Sequence, residues 1–186
     1  MKQNKIVFIQ DGKGRGFNAA VGDDNHLQTD SFTLSKVGET SLDDGQTYSW
    51  SSRYLVDPGS SIIYIQNTSP TKNLIIDHID VGGESGTTWE LWSCTTDGGG
   101  IVVSGNNLNL ASSNSAEARA FGDANITSNA SGILLGYAKH NDMETEEIHV
   151  SDALILGQND AIIIKKPLTP ANSTTSGICS VIGYFE

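Results

Sequence analysis

The sequence predicts an all-β protein, an antiparallel β-sandwich or jelly roll with an extended N-terminal arm. The chain of 186 residues contains 21 Ser, 15 Thr, 14 Asn and 20 Gly, so it is rich in residues that favour turns. Charged residues make up only 18% of the chain, below the roughly 25% of an average soluble domain. Short apolar runs recur at intervals of about 10 residues between the turn formers, a spacing typical of sandwiches and barrels.

Residues 1–45 are predicted to form the arm, and residues 46–186 the sandwich domain. The arm has one short apolar run at 6–9, which is followed by alternating glycines over 12–16. It contains few large apolar side chains, so it cannot bury enough surface to fold alone. We therefore expect the arm to become ordered against another surface, either the body of this protein or a neighbouring subunit.

Strand signals become dense after the arm. Residues 47–56 carry alternating aromatic side chains and end at an Asp-Pro-Gly turn, so they predict the first strand of the domain. Two further apolar runs, 61–66 and 73–81, are joined by a short polar turn, and this pattern predicts an antiparallel hairpin. Single strands are then predicted at 87–93 and 101–103.

A polar segment interrupts the strands in the middle of the domain. Residues 106–117 are predicted to form a long loop, and residues 116–121 one helical turn. Strands are predicted again at 132–138, 147–150, 154–156, 161–164 and 177–185. Only Gly-Gln-Asn-Asp separates 154–156 from 161–164, so these two runs predict a tight strand pair. The strands show no repeat of fixed period, which argues against propellers and solenoids.

The charge balance excludes several classes of partner. Lys and Arg total 11 against 22 Asp and Glu, so the formal net charge is −11. Binding to nucleic acid needs a basic face that neutralises phosphates, so no nucleic-acid partner is expected, nor is binding to an anionic membrane by charge. No apolar run approaches the roughly 20 residues that span a bilayer. The apolar run near the N-terminus is also too short for a signal peptide.

No motif in the chain has the spacing that catalysis requires. The glycines at 12–16 match neither a Walker loop nor a dinucleotide fingerprint, and there is no Gly-x-Ser-x-Gly elbow. The acidic runs at 23–25 and 144–147 lack the spacing of an EF-hand, so they predict a solvated acidic surface, with a loop calcium site as the alternative. We expect a protein that is not an enzyme and has no cofactor and no catalytic residues.

The four histidines do not form a recognisable metal-binding pattern. His78 and Asp80 would share one face of a strand, as would His140 and Asp142. A metal site needs at least three converging ligands, and no close pair of histidines supplies them. We therefore expect no metal, and ordinary hydrogen bonds for these side chains.

Cysteine and tryptophan positions are typical of strands rather than of sites. Cys94 and Cys179 are isolated and far apart in the chain, so they are predicted to be half-buried strand residues. Trp50, Trp89 and Trp92 stand at the two-residue period of strands. They would either line a sugar-binding face or belong to the core, and the period favours the core.

The order of segments resembles that of small structural proteins of tailed bacteriophages. The resemblance is carried by the segments 11–14, 20–27, 61–68, 74–76, 107–109 with 111–113, and 154–157, and it covers most of the chain. It implies a virion component, either a head decoration (cement) protein or an accessory protein of the tail or a fibre. It also implies a jelly roll with an extended arm and assembly as a trimer.

The resemblance, with which the composition and the predicted arm agree, implies a non-enzymatic capsid decoration protein. It would be made in the host cytoplasm, bind across major capsid subunits on the capsid exterior, and stabilise the head. We predict that Phe8, Lys13, Arg15 and Phe17 make much of the capsid contact, because an arm that becomes ordered on docking can wrap a neighbour. The alternative is a tail or fibre accessory protein whose β-sandwich binds a host glycan or receptor through loops and exposed aromatic side chains.

Overall fold

The computed structural model describes residues 7–10, 16–21, 27–28, 37, 40–84, 86–94, 99–124, 132–139, 145–150, 154–168 and 174–186. The chain forms two compact units, Met1–Leu34 and Ser35–Glu186. The strands of the first unit are β1 (Val7–Gln10), β2 (Gly16–Val21) and β3 (Leu27–Gln28). They form an antiparallel sheet in the order β1-β2-β3, so the N-terminal segment contains strand pairs of its own.

The described part of the second unit is almost entirely β structure. One π-helical turn, Thr40–Asp44, precedes its first strand. In chain order its strands are β4 (Thr47–Val56), β5 (Ser61–Asn67), β6 (Leu74–Gly83), β7 (Thr88–Cys94), β8 (Ile101–Val102), β9 (Asn106–Asn107), β10 (Ala118–Ala124), β11 (Leu134–Lys139), β12 (Glu146–Glu147), β13 (Leu154–Leu156), β14 (Ala161–Lys165) and β15 (Thr175–Phe185). The predictions of single strands at 47–56 and 177–185 are confirmed to within two residues at each end.

Two antiparallel sheets pack against each other and confirm the predicted β-sandwich. Sheet I has the order β11-β7-β14-β5-β10-β8. Sheet II has the order β12-β6-β15-β4-β9, and β13 also pairs with β6. One core cluster contains buried apolar side chains from both sheets, so the space between the sheets is the hydrophobic core.

The strands alternate between the sheets in the connectivity of a jelly roll. Sheet II contains the series β4-β15-β6-β12, and sheet I the series β5-β14-β7-β11. In both series, strands that are distant in the chain lie side by side, as in two interleaved Greek keys. The segment between β7 and β11 extends both sheets. It adds β10 and then β8 beside β5 in sheet I, and β9 beside β4 in sheet II.

Both predicted local strand pairs are wrong, because the chain crosses between the sheets at these turns. The runs 61–66 and 73–81 belong to β5 in sheet I and β6 in sheet II. Likewise 154–156 forms β13 beside β6, whereas 161–164 lies in β14 between β5 and β7. A polar turn shows where a chain reverses direction, but the partner of the next strand is decided by which sheet can bury its side chains.

The side chain of Asn67 holds two of these crossover turns together. Its Nδ2 atom donates hydrogen bonds of 2.8 Å to the carbonyl oxygens of Lys72 and Leu156, and its Oδ1 atom accepts one of 2.9 Å from the Ser69 amide. Its backbone amide donates to Asp160, 3.0 Å away. Asn67 is fully buried, so these bonds satisfy polar groups that water cannot reach.

The predicted helical turn at 116–121 is also wrong, because these residues lead into the strand β10. Ala118 pairs with Asn67 of β5 and Ala120 with Ile65, which places the side chain of Ala120 in the core. Pairing with β5 on one side and β8 on the other thus overrides a local preference for helix. The long loop predicted at 106–117 is confirmed, apart from the two-residue strand β9.

Two of the three tryptophans belong to the core, as their spacing predicts. Trp50 and Trp89 are each 0% exposed. Gly177 on β15 leaves the space for the Trp89 indole, because a Cβ atom at that position would lie 2.6 Å from the indole Cη2 atom. The structure therefore removes these two side chains from any candidate sugar-binding face.

Candidate functional site

The predicted capsid-contact residues lie in the N-terminal unit. Phe8 is on β1, where it pairs with Asn18, and Phe17 is on β2, where it pairs with Ile9. Lys13 and Arg15 lie outside the described residues. A role of these four residues in capsid contact stays a prediction.

The outer face of sheet II is a polar surface on the second unit. Strand pairing places Ser51, Ser180 and Asp80 in one row across β4, β15 and β6. Arg53 and Ile178 pair in the next row along the same strands. Side chains alternate between the faces of a strand, so this face carries the residues that the core does not use.

Shallow depressions follow one another along this face. The first, of about 410 Å³, is lined by residues that include Ser51, Arg53, Asp80, Thr145, Ile178 and Ser180. A second, of about 240 Å³, shares Arg53, Thr145 and Ile178 with the first and adds Glu84 and Ser176. A third, of about 210 Å³, includes Asp77, His78, Glu147 and Val150. We refer to the first two, which meet at Arg53 and Ile178, as the Arg53 groove.

The Arg53 groove is concave because its floor is built from small residues. Ser51 and Ser180 face each other with their hydroxyl oxygens 3.4 Å apart. Gly82 completes the floor, since a Cβ atom there would lie 2.8 Å from Cγ1 of Ile178. Arg53 is exposed and makes no ion pair with any residue in the part of the chain that the structure describes. A guanidinium with five donors is therefore free to bind a ligand beside the groove.

Next to the groove, His78 lies between two carboxylates. Its Nε2 atom is 3.1 Å from Oδ1 of Asp80, and its Nδ1 atom is 3.2 Å from Oε1 of Glu147. Glu147 also contacts His149, whose Nδ1 atom is 3.6 Å from Oε2. The sequence prediction that His78 and Asp80 share one strand face is confirmed, and Glu147 joins them from β12 across the strand pair.

The described histidines and carboxylates do not converge on a point that could hold a metal. Across the described ranges, no group of three or more His, Cys, Asp or Glu side chains has a metal-binding arrangement. The carboxylates of Asp80 and Glu147 lie at different ring nitrogens of His78. The imidazole and both carboxylates therefore cannot bind one ion together. His26, His140 and Asp142 lie outside the described residues.

Neither cysteine forms a disulfide bond with a described residue, and both are more deeply buried than the sequence predicts. Cys94 and Cys179 are fully buried rather than half-buried. Burial raises the pKa of the Cys179 thiol far above its ordinary value, and the nearby Asp80 carboxylate raises it further. A thiol that stays protonated is a poor nucleophile, so Cys179 is a packing residue.

Lys166 is a buried amine directly after β14 of sheet I. Only 1% of its surface is exposed, and its Nζ atom donates a 2.6 Å hydrogen bond to the Thr175 hydroxyl. Burial lowers the pKa of Lys166 below its ordinary value of 10.5, although Glu84 and Asp57 act in the opposite direction. At a pH between the pKa values of Lys166 in the folded and the unfolded chain, this amine binds a proton more often in the unfolded chain than in the folded one.

We therefore expect the free energy of unfolding to rise as the pH is raised from the pKa of folded Lys166 towards its ordinary value of 10.5. Lys166→Met should remove this contribution, because methionine has a similar length and does not titrate. The measurement is urea unfolding of both proteins between pH 7 and about 10. The comparison isolates Lys166, since other groups titrate equally in both proteins; an identical pH dependence in the two would contradict the prediction.

The outer face of sheet I has a different character, because an apolar row crosses all six strands. Strand pairing connects Leu134, Trp92, Ile163, Tyr64, Phe121 and Val102 in that order. The middle of the row is buried, whereas both ends are exposed. Trp92 donates a 2.9 Å hydrogen bond to Glu90, and the Lys165 amine lies 4.4 Å from its ring centroid.

The exposed apolar side chains are concentrated on the two lateral sides of the sandwich. The β8–β9 side, on and just after these edge strands, carries Ile101, Val102, Leu108 and Leu110. The β11–β13 side carries Ile133, Leu134, Tyr137 and Ile155. These are eight of the eleven exposed large apolar side chains in the described ranges, and they include Leu110 at 95% and Tyr137 at 67% exposure.

No family model, curated protein or solved structure matches this chain. Within the described residues, no helix is long and apolar enough to cross a membrane.

Sequence reasoning did not find the groove or the lateral sides. The groove combines residues from four segments between Ser51 and Ser180, and only the pairing of β15 with both β4 and β6 brings them together. One local signal was present, since Ser49, Ser51 and Arg53 stand at alternate positions of the run 47–56, and the positions beside them include Trp50 and Tyr54. That alternation predicts a polar outer face, but it does not show which strands lie beside it.

Proposed function

We propose that this protein is a non-enzymatic structural component of a tailed-bacteriophage virion, a decoration protein that binds across major capsid subunits and stabilises the head. The observation that carries the proposal is the exposure of large apolar side chains on both lateral sides of the sandwich. Large exposed apolar patches mark interaction surfaces. A protein that packs between neighbours on a lattice needs such a surface on each side.

Strand directions in sheet I support side-to-side packing of copies of this chain. The sheet has six strands and each pairs antiparallel with its neighbours, so the outer strands β8 and β11 run in opposite directions. The edge of β8 in one copy can therefore pair antiparallel with the edge of β11 in the next. A head-to-tail contact of this kind closes into a ring when the rotation permits, and the proposed trimer is such a ring.

We assign the capsid contact to the N-terminal unit. Met1–Leu34 is one of the two compact units of the chain, and in this proposal it binds the capsid while the sandwich packs against other copies. Its Lys13 and Arg15 would pair with carboxylates on the capsid, but exposed ion pairs contribute only about 0–1 kcal/mol each. Phe8 and Phe17 would supply most of the binding energy, since aromatic anchors dominate protein interfaces.

The test is cosedimentation of the purified protein with undecorated phage heads, with the bound copies counted per capsid protein. We expect saturation at a fixed ratio. Deletion of residues 1–30, or Phe8→Ser combined with Phe17→Ser, should abolish binding. The matched control is Leu55→Ser, which removes an exposed apolar side chain of β4 in the sandwich unit and should leave the ratio unchanged.

Two outcomes would contradict the proposal in different ways. Binding that survives deletion of residues 1–30 would remove the capsid contact from the N-terminal unit. A protein that does not bind heads, and is found at only a few copies per virion, would instead be an accessory protein of the tail or a fibre.

A further inference from the structure

The Arg53 groove has the shape of a site for an extended ligand. It runs along the strands of sheet II from the row of Arg53 and Ile178 to the row of Ser51, Ser180 and Asp80. Neighbouring rows on one face are about 6.8 Å apart, since each residue of an antiparallel strand advances about 3.4 Å. The two depressions that form the groove are contiguous, so a ligand can lie across both.

The lining combines three kinds of polar group with the exposed apolar side chain of Ile178. The hydroxyls of Ser51, Ser180 and Thr145 can each donate and accept a hydrogen bond. The carboxylate of Asp80 only accepts, and the Arg53 guanidinium only donates. A matching ligand therefore presents many donors and acceptors close together. Charged partners make the strongest of these hydrogen bonds.

The exposed apolar component is Ile178, which lines both depressions and is 39% exposed. A branched aliphatic side chain between polar groups fits a ligand whose polar edge alternates with C–H surface. The rings of a saccharide have this composition, with hydroxyls around the edge and C–H groups on the faces.

Other ligand classes fit the groove less well. The lining contains no aromatic side chain on which a nucleobase could stack. The net charge of −11 and the carboxylates of Asp80 and Glu84 would repel a polyanion. An extended peptide binds a sheet by pairing with an edge strand, whereas the groove lies on the face of β15, which is paired on both sides.

We propose that the Arg53 groove binds a neutral saccharide chain, with Arg53 and Asp80 bound to sugar hydroxyls and Ile178 against a ring face. This site is on the sandwich and does not depend on the proposed capsid contact of the N-terminal unit. The two proposals can therefore fail separately.

The test is titration of the full chain with neutral hexasaccharides, one each of glucose, galactose, mannose and N-acetylglucosamine units, followed by NMR chemical-shift changes. We expect at least one of them to shift the amides of Ser51, Arg53 and Ser180. Arg53→Ala and Asp80→Ala should each weaken its binding about tenfold. Ser180→Phe, which fills the floor of the groove, should abolish it.

The matched control is Arg119→Ala, which removes the other strand arginine in the described part of the unit. Arg119 is on β10 of sheet I, where its Nε atom donates a 2.6 Å hydrogen bond to Gln66, and its loss should leave saccharide binding unchanged. Thermal unfolding of each variant confirms that it is folded. Absence of binding by all four hexasaccharides, or binding that Arg53→Ala and Ser180→Phe leave intact, would overturn the proposal.

Discussion

Replacement of Trp89 by alanine is expected to lower the free energy of unfolding by about 3–5 kcal/mol. Trp89 is fully buried between the sheets, and Gly177 leaves space for its ring. Alanine would leave a cavity lined by rigid strands that cannot collapse into it. Chemical denaturation with urea, monitored by far-ultraviolet circular dichroism, measures the loss.

Trp92→Ala is the matched control for Trp89. Trp92 is half-buried on the outer face of sheet I, beside Glu90 and Lys165, so its loss should cost only about 1–2 kcal/mol. Trp89→Phe should also cost less than Trp89→Ala, because the indole nitrogen of Trp89 donates no hydrogen bond to the described residues. Equal losses for Trp89→Ala and Trp92→Ala would show that the core is not organised as described.

Asn67→Ala should destabilise the protein by about 3 kcal/mol or more. The substitution leaves the carbonyls of Lys72 and Leu156 and the amide of Ser69 without their partner in a buried place. Each unsatisfied buried group costs about 1–3 kcal/mol. The same denaturation experiment measures the effect.

Asn114→Ala provides the comparison for Asn67. The Asn114 side chain also donates to backbone carbonyls, those of Asp44 and Gly45, but it is exposed and water can replace it. Its loss should cost no more than about 1 kcal/mol. A small effect at Asn67 would mean that its crossover turns are held by backbone hydrogen bonds alone.

The sequence predicted the fold class and most strand positions because both depend on local patterns. Alternation at 47–56 and the apolar runs at 61–66 and 161–164 identify strands regardless of their partners. Strand pairing was predicted wrongly at the 67–73 and 157–160 turns, where a turn sequence gives the reversal but not the sheet. The burial of Asn67 at both turns is a tertiary feature that no local pattern encodes.

The candidate site was less predictable than the fold. Sequence reasoning correctly favoured the core for Trp50 and Trp89, because strand periodicity carries that information. It placed His78 beside Asp80 but missed Glu147, which reaches them only through the pairing of β12 with β6. The exposure of side chains such as Val102 and Tyr137 was also not predicted, since a strand pattern does not show which strands become edges.

The central position of β15 has a consequence for how the chain folds during synthesis. This strand pairs with both β4 and β6, and every other described strand precedes it in the chain. Sheet II therefore stays incomplete until residues up to Phe185 have left the ribosome. Non-local pairings of this kind slow folding to about milliseconds to seconds. The apolar strands β5, β7 and β14 emerge before sheet II, against which they pack, is complete. Chaperone binding to the nascent chain should therefore end only when β15 docks.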